Sequence, residues 1–298
     1  MTFGGEGSFE GGRVRSHKGA VAGGGVGILG IIGFLIYQFT GVDVGPALEQ
    51  LEGGGGGGGA APGGQAGTIA ECTVEQANEQ RDCRLSATVQ FLDEYWTEVF
   101  ASQGELPLPD VTSFSGGVST GCGQASSATG PFYCPPDQGI YMDLTFFDLL
   151  SSRFGASGGP LAEIYVTAHE YGHHIQNVTG VMERANRQGT GADSDAVRVE
   201  LQADCYAGMF VGNATGVTVT NEQTGARQRI EPITPEQLAD ALSAAEAVGD
   251  DHIQAQSGGG VNPDTWTHGS SEQRQHWFTV GYNEGSLQAC DTFATDQL

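Results

Sequence analysis

"TAHEYGHHIQ", Thr167 to Gln176, places three histidines and one glutamate within the six positions His169 to His174. On an α-helix, residues four apart are offset by roughly 40° and share a face, whereas residues five apart are displaced by roughly 140°. His169 and His173 therefore converge, and His174 points elsewhere. Glu170 follows the first histidine and lies beside the pair. This is the HExxH pattern, in which two neutral imidazoles ligate Zn2+ and the glutamate acts as general base toward a water. A bare match also arises by chance, so a third ligand and a suitable compartment are needed to support it.

The third ligand comes from "AVRVELQADCYAGMFVG", residues 196–212. Val197, Leu201, Cys205 and Met209 recur every four residues, as in a helix, and Glu200 and Asp204 recur at the same spacing on another face. Alone, such an acidic pair is most simply a solvated helix face. Joined to HExxH, Glu200 completes a His2Glu set and leaves a fourth position for water. Asp204, one turn on, can accept the remaining ring N–H of a ligand histidine. Two rivals exist. The metzincin pattern HExxHxxGxxH is excluded because Gln176 and Thr179 occupy the required glycine and histidine positions. "GTGAD", ending at Asp193, resembles the aspartate-liganded zincins, although its glycines more simply mark a loop.

The chain has 298 residues and 38% hydrophobic content, enough for one substantial domain with a core. Acidic residues outnumber basic ones 36 to 12, a net charge of -24. That balance argues against nucleic-acid or anionic-membrane binding by the globular part and says nothing specific about substrate. Oligomeric state is left open.

From Ala20 to Tyr37 the sequence carries no charge, and Arg13, Arg15 and Lys18 precede it. That length just reaches a membrane-spanning helix, and the flanking charge predicts an N-terminus inside and the remainder outside. The alternatives are a buried helix or a cleaved signal, the latter disfavoured by the lack of an A-x-A site. The expected organisation is a disordered cytoplasmic tail at 1–19, a transmembrane signal anchor at 20–40, a glycine-rich linker at 41–67 and a zinc peptidase domain at 68–298. The run Gly53 to Gly59 marks the linker. This makes the chain a single-pass cell-membrane protein with an extracytoplasmic catalytic domain.

All six cysteines follow the apolar segment, and the even count fits an oxidising compartment. Proximity pairs Cys72 with Cys83 and Cys122 with Cys134, leaving Cys205 for Cys290. A cysteine-built structural zinc is the alternative, but no CxxC pair exists. The stretch Thr73–Ser102 has helical apolar spacing, with Val89, Leu92, Tyr95, Trp96 and Val99 on its buried face. Residues 107–141, rich in Gly, Pro and Ser, predict short strands and loops. "GIYMDLTFF" predicts a strand leading into a helix, and Gly180 ends the HExxH helix.

"AHEYGHHIQ", "ELQADCYAG", "AEAVGDDHIQ", "THGSSEQRQHWFTVGYNEG" and the closing "CDTF" together resemble the bacterial neutral zinc metallopeptidase family, membrane-anchored proteins similar to the glutamate-liganded zincins. The likeness runs from about Thr68 to the end. It implies an α+β, zincin-like domain with an HExxH helix and a second ligand-bearing helix, here preceded by a single transmembrane helix. It also implies zinc on His169, His173 and Glu200, with Glu170 as catalytic base and a protein or peptide substrate.

Peptide hydrolysis further needs a donor toward the developing oxyanion. His268 is the candidate, with Asp250 or Asp251 to orient it, although a surface loop histidine is an equally simple description. The strand around Tyr141 to Asp143 offers an edge for substrate backbone, but packing is the simpler role for Tyr141. Two other functions compete: a catalytically silent, zinc-stabilised envelope binding protein, and a non-peptidase hydrolase using the same zinc chemistry.

Overall fold

The computed structural model describes residues 1–18, 65–127, 129–256 and 260–298. Strands β1 (Phe3–Gly5), β2 (Ser8–Phe9) and β3 (Val14–Lys18) come first, then β4 (Gln65–Thr68) and β5 (Cys72–Thr73). Helices α1 (Val74–Glu79) and α2 (Arg81–Phe100) follow. Thr73 starts α1 through a reciprocal capping box with Gln76. Val89, Leu92, Tyr95 and Trp96 of α2 are buried, and Val99 packs partly against the same core.

The Gly- and Pro-rich stretch then forms β6 (Asp110–Ser115), β7 (Gly117–Thr120), β8 (Gly123–Ser126), β9 (Phe132–Cys134) and β10 (Gly139–Asp143). Next come α3 (Phe146–Phe154), α4 (Pro160–Val178), α5 (Val181–Arg184) and α6 (Asp195–Asn213), then β11 (Thr218–Thr220) and β12 (Arg227–Ile230). Helices α7 (Pro235–Ala247), α8 (Asp250–Gln256) and α9 (Ser271–Glu284) complete an α+β fold.

The main sheet has five strands in the order β4-β3-β6-β10-β9. Its three central strands run parallel, and both edge strands are antiparallel to their neighbours. β10 is paired on both sides over Gly139–Tyr141, so Tyr141 itself has no open edge for a substrate strand, whereas Met142 and Asp143 pair with β6 alone. Tyr141 instead stacks on Phe132, with ring centroids 5.0 Å apart, and donates to Asp137.

Two glycines set how closely the helices beneath the site approach. A Cβ on Gly172 of α4 would lie 3.1 Å from the Ala203 carbonyl oxygen of α6. On Gly281 of α9 it would lie 1.9 Å from the Cys205 carbonyl oxygen, so α6 and α9 touch backbone to backbone. Three disulfides, Cys72–Cys83, Cys122–Cys134 and Cys205–Cys290, match the pairing inferred from spacing, and the last ties the C-terminal segment to α6.

The amino-terminal expectation is corrected. Residues 1–18, expected as a disordered cytoplasmic tail, are threaded through three sheets: β1 pairs with β12, β2 with β5, and β3 lies between β4 and β6. Phe3, Phe9 and Val14 are core residues. Arg13 and Arg15, which would have set a membrane orientation, instead pair with Asp93 and Asp110. A segment hydrogen-bonded within the same sheets as the rest cannot lie across a bilayer from it, so the single-pass arrangement with a cytoplasmic N-terminus is overturned. Among the described residues no helix is long and apolar enough to cross a membrane. The anchor expected at 20–40 and most of the linker at 41–67 lie outside the described residues.

Candidate metal centre

Helix α4 starts at Pro160, whose missing N–H costs nothing in a first turn, and runs through the whole HExxH segment. Helix α6 is capped by Ser194, which lies just before its first residue and whose side chain accepts from the Val197 N–H. The Gly172–Ala203 contact brings the two together face to face. His169 and His173, one turn apart on α4, have ring centroids 4.7 Å apart, and Glu200 of α6 faces both. His169 Nε2 lies 3.3 Å from Glu200 Oε2, and His173 Nε2 lies 3.3 Å from Glu200 Oε1. All three side chains are buried. This is the one cluster of potential metal-ligating side chains among the described residues, and Asp193 is not part of it.

The donor set fits zinc. A tetrahedron with bonds of about 2.0–2.1 Å has edges of about 3.3–3.4 Å, the separation seen between both imidazole nitrogens and the carboxylate. His173 Nε2 has no hydrogen-bond partner although it is fully buried. Its other ring nitrogen lies 2.8 Å from Gln176 Oε1, and His169 Nδ1 lies 2.8 Å from Asp204 Oδ1. Both rings thus have Nδ1 engaged and Nε2 facing the carboxylate.

Glu170 is also buried, and its Oε2 has no hydrogen-bond partner. Burial pushes its carboxyl up, against the opposing pull of His173 and His169. At Glu200 the same burial is outweighed by the two histidines, which hold the carboxyl well below the usual range. The two glutamates therefore differ: the histidines hold the Glu200 carboxyl down, whereas burial wins at Glu170 and raises it.

Asp204 occupies the position foreseen for it and carries more than was foreseen. Arg274 of α9 donates to both its oxygens, Nε to Oδ2 at 2.8 Å and Nη2 to Oδ1 at 3.0 Å, and Tyr165 donates to Oδ1 at 2.5 Å. Burial would raise the Asp204 carboxyl, but Arg274 and His169 hold it down, so it remains a carboxylate for His169. Arg274 and Tyr165 escaped the sequence reading. A visible mark existed for the first: Arg274 shares helical spacing with Trp277, Phe278 and Gly281, and an arginine on an otherwise apolar face needs a buried acid.

His268 is buried, not a surface residue. Its main-chain N–H and those of Thr267 and Gly269 donate to Asp250 Oδ2, and its Nδ1 lies 3.3 Å from Asp250 Oδ1. Asp250 is thus the orienting acid, whereas Asp251 accepts from Ser271. The His268 ring is near enough to help depress the Glu200 carboxyl.

His174 points away from the centre, as its spacing required. Its Nε2 donates to the Pro107 carbonyl at 2.6 Å, and its Nδ1 accepts from the Tyr133 hydroxyl at 3.1 Å. Burial lowers its pKa to about 4, against the raising effect of Pro107. The folded ring stays neutral while an unfolded one, near 6.5, gains a proton. Stability is therefore whole above pH 6.5 and falls as pH drops toward 4, by about 3 kcal/mol in total. Urea unfolding with chelator present should show the native chain losing that much more than His174→Asn across this window. Equal losses would place the titration elsewhere.

The model of the family "Putative neutral zinc metallopeptidase" matches residues 3–293. "Uncharacterized protein Rv2575" of Mycobacterium tuberculosis (strain ATCC 25618 / H37Rv) is 50% identical over 231 residues, covering 77% of each chain. "Uncharacterized protein YpfJ" of Escherichia coli (strain K12) is 39% identical over 223 residues, covering 72% of this chain and 73% of its own. No solved structure matches. The family match begins at residue 3, so it includes the strands formed by the amino-terminal segment.

Proposed function

We propose, for a chain that belongs to the neutral zinc metallopeptidase family, that it is a zincin-like peptidase whose metal is held by His169, His173 and Glu200. The observation that carries this is the pair of 3.3 Å separations between two buried imidazole nitrogens and one buried carboxylate, with the unpartnered Glu170 oxygen beside them. Bound zinc supplies a Lewis acid for a carbonyl oxygen and lowers the pKa of a water toward roughly 7.

The remaining work falls to the chain's own groups. Glu170 takes the proton of the attacking water and passes it to the leaving amine, for which its raised carboxyl is suited. Asp204, fixed by Arg274 and Tyr165, keeps the His169 Nδ1–H directed at itself and Nε2 turned to the site. His268, oriented by Asp250, serves as donor to the developing oxyanion. The substrate is a peptide or protein. A catalytically silent zinc protein is disfavoured by Glu170, because a buried carboxyl oxygen, Oε2, left without a hydrogen bond is costly unless it has a task.

Metal analysis of the full chain tests the ligand set. His169→Ala, His173→Ala and Glu200→Ala should each lower zinc occupancy, and His174→Ala should leave it near one per chain. Full occupancy in Glu200→Ala together with loss in Asp193→Ala would refute the glutamate assignment and restore the aspartate one.

A further inference from the structure

The two histidines of the proposed centre are oriented by different chemistry. His169 faces a carboxylate, Asp204, while His173 faces a neutral amide, Gln176. An amide has two ends, one donating and one accepting, so something must decide which end meets the ring.

The decision begins at two main-chain carbonyls, which only accept. Gln202 lies 3.0 Å from the Cys290 carbonyl oxygen and so presents Nε2 to it, turning Oε1 the other way. That Oε1 lies 3.1 Å from the amide of Gln176, where a donor is required. The Val199 carbonyl oxygen, 2.7 Å from the same Gln176 nitrogen, imposes the same requirement. With Nε2 committed twice, Gln176 has only Oε1 left for His173 Nδ1, at 2.8 Å. An acceptor at that position demands Nδ1–H, and the neutral ring must then carry its lone pair on Nε2. Reversing either amide would set its oxygen against a carbonyl oxygen. Gln176, Gln202 and His173 are all buried, so bulk water offers no substitute.

We infer that Gln176 and Gln202 form a buried amide relay, anchored on the Cys290 and Val199 carbonyls, that fixes His173 as the Nδ1–H tautomer with Nε2 free to bind the metal. Both are positioning residues, and their role in metal binding rests on the zinc centre proposed above. The far end of the relay sits at Cys290, whose disulfide to Cys205 holds the C-terminal segment against α6. The attachment of that segment is thereby part of how His173 is oriented.

The test combines zinc competition against a chelator with thermal unfolding of the metal-free full chain, for the native protein, Gln176→Leu and Gln176→Glu. Leucine removes the acceptor, and zinc affinity should fall about 10- to 100-fold. Glutamate keeps an acceptor for Nδ1–H but loses the donor toward Val199 and Gln202. Its metal-free form should therefore unfold at lower temperature while zinc affinity stays close to native. If Gln176 were merely structural, affinity would follow stability, and a glutamate variant losing as much affinity as the leucine one would overturn the inference. Nitrogen-15 NMR of the metal-free native chain gives an independent reading: the relay requires His173 Nδ1–H, and an Nε2–H ring would overturn it. A native chain that showed Nδ1–H yet bound no zinc would support the relay and refute the metal centre instead.

Discussion

Glu170→Gln is expected to retain zinc near one per chain and to lose about 10²- to 10⁴-fold in peptide hydrolysis, the usual contribution of a positioned general base. Glutamine keeps the size of the side chain but cannot take up a proton. Glu170 makes none of the 3.3 Å approaches that define the ligand cluster, so its replacement leaves the cluster intact. The neutral amide also suits a buried position better than a carboxylate whose Oε2 lacks a hydrogen bond. Zinc content and hydrolysis measured on one preparation give the answer. Full activity in this variant would remove Glu170 from the mechanism even with the metal in place.

Arg274→Met should be the most damaging single change away from the ligands, costing about 3–5 kcal/mol because it leaves a buried carboxylate without its counter-charge. Asp204 is completely buried, and both hydrogen bonds from the guanidinium would be lost together with its positive charge. The remaining hydroxyl of Tyr165 and ring N–H of His169 both meet a single oxygen, Oδ1. Denaturant unfolding reads the loss. The double variant Arg274→Met with Asp204→Leu removes both charges and should recover much of the stability while zinc affinity stays low, since His169 has lost its orienting acid. A single variant as stable as the native chain would show that Asp204 is not held as a carboxylate.

The centre was legible because its parts obey local rules. His169 and His173 are one helical turn apart in one element, and Glu200 and Asp204 one turn apart in another, so each pair is set by the 3.6-residue period alone. That the two helices meet is a tertiary fact, which the sequence suggests only through the chemistry that the four residues make together. The cysteine pairing was accessible for a similar reason: two of the bridges span 11 and 12 residues.

The amino-terminal segment failed on the opposite count. Its strands have three, two and five residues, too short for any periodicity to show. What makes them strands is pairing with partners far along the chain, Phe3 with Ile230 and Val14 with Val111. Non-local context of this kind overrides strand propensity. The same distance hid the meaning of Arg13. Beside an apolar run it reads as a topological charge, whereas in the fold it makes a two-pronged pair with Asp93, which also accepts from Tyr171 of the HExxH helix. Gln176 was noticed only for the glycine it replaces. Its role depends on carbonyls of Val199 and Cys290 that no local pattern exposes.

The central claim is that this chain cleaves peptide bonds with a metal held by His169, His173 and Glu200. The most direct test incubates the zinc-loaded full chain with a diverse peptide library and reads the products by mass spectrometry, with and without chelator. New peptide termini that vanish on chelation, return on adding zinc and are absent with Glu170→Gln are the predicted result. A chain that binds zinc stoichiometrically yet leaves the library uncut, or that cuts it equally well after the metal is removed, would contradict the account.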